Sequence, residues 1–173
     1  NDGDLLINIY EFGNYTNPNK GDTDGDGLND WEEIINIGTL ANHSDTDLDG
    51  MPDGWEIENN FLPLVSSDSS GDPDGDFLLN VDEYRNNSDP RKWDTDEDNF
   101  SDGFEVYKGT DPVNSEDFPL GIQDDDDLDG MTNSWENYHE LDPLFDDSQE
   151  DPDGDGFTNL EEFEADTDPK DPY

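Results

Sequence analysis

The sequence predicts a repeat array, elongated, made mostly of irregular loops joined to short α-helical turns, with no single large hydrophobic core. Three observations predict it. Of 173 residues only 28% are hydrophobic, while 51 Asp and Glu face 6 Lys and Arg, for a formal net charge of −45. So little apolar surface under so much self-repulsion does not ordinarily offset the entropy of ordering a chain. Yet 9 Phe, 6 Tyr and 4 Trp are too many aromatic side chains for a solvating acidic tail. Finally, one acidic pattern, with acids at positions 1, 3 and 5, Asp or Asn at 9 and Glu at 12, recurs along the whole chain.

Six complete copies of that pattern are present: DTDGDGLNDWEE (22–33), DTDLDGMPDGWE (45–56), DPDGDFLLNVDE (72–83), DTDEDNFSDGFE (94–105), DDDLDGMTNSWE (125–136) and DPDGDGFTNLEE (151–162). A partial seventh, NDGDLLINIYE (1–11), starts at the second loop position. A longer order lies above the short one. DPDGDFLLNVDEYRNNSDP matches the stretches beginning at Asn1 and Asp151, and the loops at 45 and 125 share Leu, Met and Trp. The loops therefore cycle with a super-repeat of about 72–80 residues, the mark of a stacked array. Residues 1–173 read as one continuous array, an excerpt of a longer tandem protein.

The short helices follow from the flanks of each loop. Turn-formers such as NPNKG, SSDSSG and NSEDFPLG precede the loops, so no helix is expected to enter them. DWEEIINIG, GWEIENN, GFEVYKG and NLEEFEA follow, each long enough for one or two helical turns before Gly, Asn or a TDP or SDP turn. Helices this short need anchoring. Apolar residues recur at position 7 (Leu6, Leu28, Met51, Leu78, Phe100, Met131, Phe157) and mostly at position 13 (Phe12, Ile34, Ile57, Tyr84, Val106, Phe163). With Trp31, Trp55, Phe104 and Trp135 they predict a narrow seam of small clusters.

The acids have a chemical reason to crowd. Positions 1, 3, 5, 7, 9 and 12 with glycine at 6 are the ligand order of the EF-hand calcium loop: alternate side chains, the position-7 carbonyl and a bidentate Glu converge on one hard cation. The predicted ligands are Asp22, Asp24, Asp26, Leu28 (carbonyl), Asp30 and Glu33; Asp45, Asp47, Asp49, Met51, Asp53 and Glu56; Asp72, Asp74, Asp76, Leu78, Asn80 and Glu83. In the later loops they are Asp94, Asp96, Asp98, Phe100, Asp102 and Glu105; Asp125, Asp127, Asp129, Met131, Asn133 and Glu136; Asp151, Asp153, Asp155, Phe157, Asn159 and Glu162. The partial loop offers Asp2, Asp4, Leu6, Asn8 and Glu11. Of the 51 acids, 30 fall on these positions. Calcium, with six to eight flexible oxygen ligands, fits better than magnesium, and Zn, Cu or Fe would want His or Cys. About six to seven Ca2+ ions are expected. At calcium ~100-fold above a site's Kd, each contributes about 2.7 kcal/mol. Several such sites rival the roughly 5 to 15 kcal/mol stability of a whole domain, which makes this a calcium-stabilised fold.

Some loops depart from the pattern. Leu5, Phe77 and Asn99 stand at position 6, where the turn needs positive φ, so weaker binding or altered geometry is expected for the loops at Asn1 and Asp72. Long inserts occupy 57–71 and 106–124. Asp89, Asp111, Asp168 and Asn17, each before Pro, are expected to cap turns more than to ligate. Asn14, Asn42 and Asn86 head N-x-S/T sequons on an Asn-rich surface.

The same composition excludes several functions. Six scattered bases cannot line a nucleic-acid surface. The chain has no Cys, and no apolar run long enough to cross a bilayer, so membrane insertion is not expected within this segment. Every clustered acid is accounted for by a loop, His43 and His139 stand alone, and no nucleophile–His pair is visible, so no enzyme is expected.

DTDGDGLNDWEE, DPDGDGFTNLEEFEADTDP and DTDEDNFSDGFEVYKGTDP resemble bacterial thrombospondin type 3 repeats, Cys-free relatives of the calcium-wrapped repeats of animal thrombospondins. The resemblance covers nearly the whole chain. It implies an extracellular or cell-surface protein, in which Ca2+ rigidifies a stalk, adhesin segment or filament subunit, with neighbouring copies or other surface proteins as partners. Two other classes use similar loops: a dockerin-like protein-binding module, which carries two loops where this chain has seven, and an acidic calcium-storage or matrix protein, which would not fold cooperatively.

Overall fold

The structure, a computed structural model, describes residues 3, 5, 6, 8–119 and 125–172. It contains loops and short helices and no strand among the described residues: α1 (Asn8–Asn14), a π-helical turn (Glu32–Ile37), α2 (Asp53–Glu58), a 3-10 turn (Asp68–Ser70), α3 (Asn80–Asn86), α4 (Asp102–Lys108), α5 (Asn133–Tyr138) and α6 (Asn159–Ala165). Apart from the 3-10 turn, each helical element begins at position 9 or 11 of an acidic loop, as the flanking residues predict. The chain is thus an irregular repeat fold in which every loop leads into a helical turn.

Two compact units are present. The first comprises Asn1–Gly71 and Leu79–Tyr84, the second Asp72–Leu78 and Arg85–Tyr173. In the first, Trp55 stacks on Phe61 at 5.7 Å and meets the edge of Tyr84 at 5.5 Å. In the second, Phe100 stacks on Phe104 at 6.0 Å and Trp135 meets Phe163 at 5.2 Å. These are satellite clusters. The buried apolar side chains of the described residues amount to Leu6, Ala41, Met51, Phe61, Leu78, Phe104, Met131 and Leu141. Met51 and Met131 at position 7 are fully buried, whereas Phe157 at the same position is 58% exposed.

The expected contribution of position 13 is met in some loops and not in others. Phe12 is 85% and Ile57 40% exposed, whereas Ile34, Tyr84, Val106 and Phe163 are largely buried, Tyr84 and Phe163 against Trp55 and Trp135. In the loops at Asp45 and Asp125, where position 13 is the exposed Ile57 and the polar Asn137, the apolar contact comes from Phe61 and Leu141, five residues after the last Glu. Each is drawn inward because its backbone N–H donates to that Glu's carbonyl, at 2.7 Å for Phe61 on Glu56 and 2.8 Å for Leu141 on Glu136. The turn Asp and Asn residues cap, as expected: Asn17, Asp89, Asp111 and Asp168 each accept from the backbone N–H two residues on, at 3.0 to 3.3 Å.

The loop after Asp22 departs from the others by one residue. Gly38, at φ 94°, donates to Glu33 O at 2.6 Å, closing a π turn where α4 closes an α turn at Gly109 with φ 81°. The segment Glu33–Thr39 is one residue longer than Glu105–Thr110, and the wider turn absorbs the extra residue.

Candidate metal centres

Each loop is curled by its own carboxylates before any ion is considered. The position-1 Asp accepts from the N–H groups of positions 4 and 6: Asp22 from Gly25 (2.6 Å) and Gly27 (3.3 Å), Asp45 from Leu48 (2.7 Å) and Gly50 (3.0 Å), Asp151 from Gly154 (2.8 Å) and Gly156 (3.1 Å). The position-5 Asp accepts from position 7, as Asp26 does from Leu28 at 2.8 Å and Asp129 from Met131 at 2.8 Å. Both position 4 and position 6 are left-handed. At position 6, Gly27 and Gly50 have φ 104° and 100°, and Leu5, Phe77 and Asn99 adopt the same region at 78°, 71° and 78°. The bulky residues at 5 and 77 therefore keep the left-handed turn and carry its strain. Position 4 was not foreseen: beside Gly25 and Gly154, it places Leu48, Glu97 and Leu128 at φ 63°, 67° and 65°.

The curl gathers oxygens that have nothing else to bind. Asp22, Asp24 and Asp26 bring ligand atoms within 4.8 Å of one another, as do Asp45, Asp47 and Asp49, and Asp72, Asp74 and Asp76. Two oxygens on opposite sides of one calcium are about 5 Å apart, so these spans suit that ion. Buried oxygens of Asp24, Asp47, Asp74, Asp96, Asp127 and Asp153 at position 3, and of Asp49, Asp98 and Asp129 at position 5, lack a hydrogen-bond partner. So do one oxygen each of Glu33, Glu105 and Glu162 and both oxygens of Glu56 and Glu136. Orphaned carboxylate oxygens are costly in a folded chain. A hard cation satisfies them together, so the residues present fit calcium.

Electrostatics points the same way. Burial, then the charges of Asp24 and Asp26, pushes the Glu33 carboxyl up to about 8. Burial, then Asp49 and Asp47, pushes Glu56 up to about 9. Glu105 and Glu136 reach about 9 by burial and their own loops' aspartates, and burial lifts Asp76 and Asp102 to about 7. These groups resist ionisation until a cation compensates them.

The ninth position plays a part that its register did not reveal. Asp30 accepts from Thr23 N at 2.7 Å and Thr23 Oγ1 at 2.8 Å, so the second residue of the loop clasps the ninth. Thr46 clasps Asp53 and Thr95 clasps Asp102 in the same way. Asp53 also joins Asp26 and Glu33 of the preceding loop in a second cluster within the same 4.8 Å span. Gly54 brings it there: its N–H donates to Asp26 Oδ2 at 3.1 Å, and a Cβ would collide with the Asp26 carbonyl. Gly103 repeats the contact on Asp76 at 2.9 Å. The next loop has Asn80 at position 9, and the acid comes instead from Asp68, which clusters with Asp49 and Glu56. Asn80 Nδ2 donates to the Asp68 carbonyl at 2.7 Å. Asn159 likewise donates to Asp147 O at 3.0 Å, and the charge of Asp147 bears on Glu136 and Asp129. Asp68 and Asp147 lie four residues before their loops, outside the motif, and only the Asn at position 9 hinted that an acid comes from elsewhere.

The remaining predicted ligands sit as follows. Asn133 accepts from Asp126 N at 3.0 Å, and Glu11, Glu83 and Asn80 are buried. Asp94, Asp125, Asp151 and Asp155 line their own loops, Asp94 accepting from Glu97 and Asp125 from Gly130. Asp2, Asp4 and the side chain of Asn8 lie outside the described residues.

Residues 44–114 match the Clostridial binary toxin B/anthrax toxin PA Ca-binding domain, and residues 22–39 and 151–172 match the bacterial TSP3 repeat. Neither match includes the loop at Asp125. No curated protein and no solved structure matches the chain. No described helix is long and apolar enough to cross a membrane. The recurring orphaned carboxylates and these two matches fit calcium-binding repeats like those of bacterial thrombospondin type 3.

Proposed function

We propose that this chain is an extracellular structural segment, a stalk, adhesin segment or filament subunit, made rigid by bound Ca2+. The observation that carries this reading is the set of buried Glu and Asp oxygens without partners at ligand positions in successive loops. A fold that buries more carboxylates than apolar side chains among its described residues depends on its cations as other folds depend on apolar cores. Extracellular calcium, near millimolar, fills sites that cytosolic levels leave empty. One ion per loop gives about six to seven. The clusters Asp26–Glu33–Asp53 and Asp49–Glu56–Asp68 add places for further ions that share the fifth-position and last carboxylates. The reading includes no catalytic step, and its partners are neighbouring copies or other surface proteins.

Circular dichroism with analytical sedimentation during calcium titration tests it. Cooperative gain of structure at constant mass supports a monomeric rod, and growth in mass supports a filament. Structure that persists unchanged in chelator rules the reading out.

A further inference from the structure

The loops at Asp22, Asp45, Asp94 and Asp125 fall into two kinds according to what touches the last Glu. At 22–33, Thr39 Oγ1 donates to Glu33 Oε1 at 3.2 Å. At 94–105, Thr110 Oγ1 lies 3.3 Å from Glu105 Oε1 and from the Glu105 carbonyl oxygen, its one proton shared between them. Both threonines follow a left-handed glycine, Gly38 or Gly109, that ends the helical turn. At 45–56 and 125–136 the corresponding side chains are Phe61 and Leu141, both buried, and both oxygens of Glu56 and Glu136 lack a partner. The difference is not an accident of spacing. Thr39 is six residues beyond its Glu and Thr110 five, and the π turn takes up the additional residue so that the hydroxyl arrives at the same oxygen.

We infer that Thr39 and Thr110 are positioning residues for calcium: each holds its clamp glutamate in the ligating rotamer before the ion arrives. The inference rests on the calcium reading above. A carboxylate oxygen has lone pairs for both a hydroxyl and a cation, so the bond persists in the loaded state. One Glu oxygen is held by the threonine, and the other, Glu33 Oε2 or Glu105 Oε2, remains without a protein partner. Ordering the long Glu side chain then costs less when calcium binds. Where Phe61 or Leu141 stands, nothing holds the carboxylate, and the ion itself must order it. The threonine-held loops 22–33 and 94–105 are thus each followed by a loop, 45–56 and 125–136, that the cation has to organise.

The test uses the full chain and calcium alone, followed by isothermal titration calorimetry. Thr39→Val and Thr110→Val keep the shape of the side chain and delete the donor. Each is expected to weaken one class of ions by about tenfold, the lower end for loss of such an outer-shell bond. Thr39→Ser and Thr110→Ser, which keep the hydroxyl, are expected to restore it. Thermal unfolding in saturating calcium should stay close to that of the parent chain. Valine variants that titrate like the parent overturn the inference, and so do serine variants that weaken as much as valine. A parent chain that takes up no calcium would instead fail the proposed function, so the two failures are distinguishable.

Discussion

The loops at Asp22 and Asp45 are consecutive, nearly identical in ligand register, and set in one unit, yet they solve the same problem differently. The first has Gly25 at position 4, a hydroxyl on its clamp Glu33, and a second cluster completed by Asp53 from the following loop. The second has Leu48 at φ 63° and 72% exposed, a clamp Glu56 with no donor, and a second cluster completed by Asp68 from outside any loop. The difference teaches that the twelve-residue motif specifies where the oxygens converge, while the surrounding chain decides how well the empty loop can stand.

The largest expected effect is that of removing calcium. In chelator the whole array should lose its helical signal, and the comparison sharpens on the way. Hydrogen exchange should show α2 losing protection at a higher residual calcium than the Glu32–Ile37 turn. Simultaneous loss would erase the distinction between the two loops.

Next comes pH, in the metal-free chain. The Glu56 and Glu33 carboxyls are raised to about 9 and about 8 from an ordinary value of 4.5. The folded empty chain therefore holds protons that the unfolded chain has released. That contribution to stability is complete below about pH 4.5 and is lost as pH rises through about 8 for Glu33 and about 9 for Glu56. Chelated protein should be more helical by circular dichroism at pH 5 than at pH 8. The loaded protein should show the reverse dependence, since protons compete with calcium for the same oxygens. A chelated chain indifferent to pH would contradict the burial of these groups.

A smaller effect is expected at the contact between the two loops. Gly54→Val drives a side chain into the Asp26 carbonyl and should destabilise the loaded fold by about 1 to 3 kcal/mol in urea denaturation. Gly103→Val should do the same through Asp76. If either is neutral, that glycine's close approach does not hold its two loops together. The smallest effect is Leu48→Gly, which gives the second loop the residue of the first. Relief of left-handed strain, partly offset by glycine's entropy, should raise its stability by about 0.5 to 1 kcal/mol. A loss of stability would mean that Leu48 makes a contact that its exposure hides.

The loops were legible in the sequence because a ligand set is a local pattern, and Asp24, Asp47 and Asp127 turn inward as their register requires. The helical turns were legible too, since Gly38 and Gly109 end them where a glycine should. What escaped notice depends on residues brought together by folding. Asp53 serves the preceding loop, Asp68 replaces a missing acid, and Thr39 reaches Glu33 through a turn wider than any propensity suggests. Position 13 misled at Ile57, because an apolar residue in a short helix reads as core, whereas the backbone bond of Phe61 to Glu56 draws in the later residue. Weak traces of the rest existed: Thr at position 2 wherever Asp stands at 9 in the described loops, Asn at 9 wherever an acid precedes the loop by four, and Gly at position 10 in 54 and 103 alone.

The cluster of Asp26, Glu33 and Asp53 also has a mechanical meaning. A cation seated there ties together points 27 residues apart in the chain, like a stitch through a fold of cloth. Pulled from both ends in calcium, such a segment should resist as a short link. Once the stitch is drawn, it should pay out about 90 Å of slack. A tether built this way would absorb a sudden load by lengthening and regain its length when calcium returned to the seam.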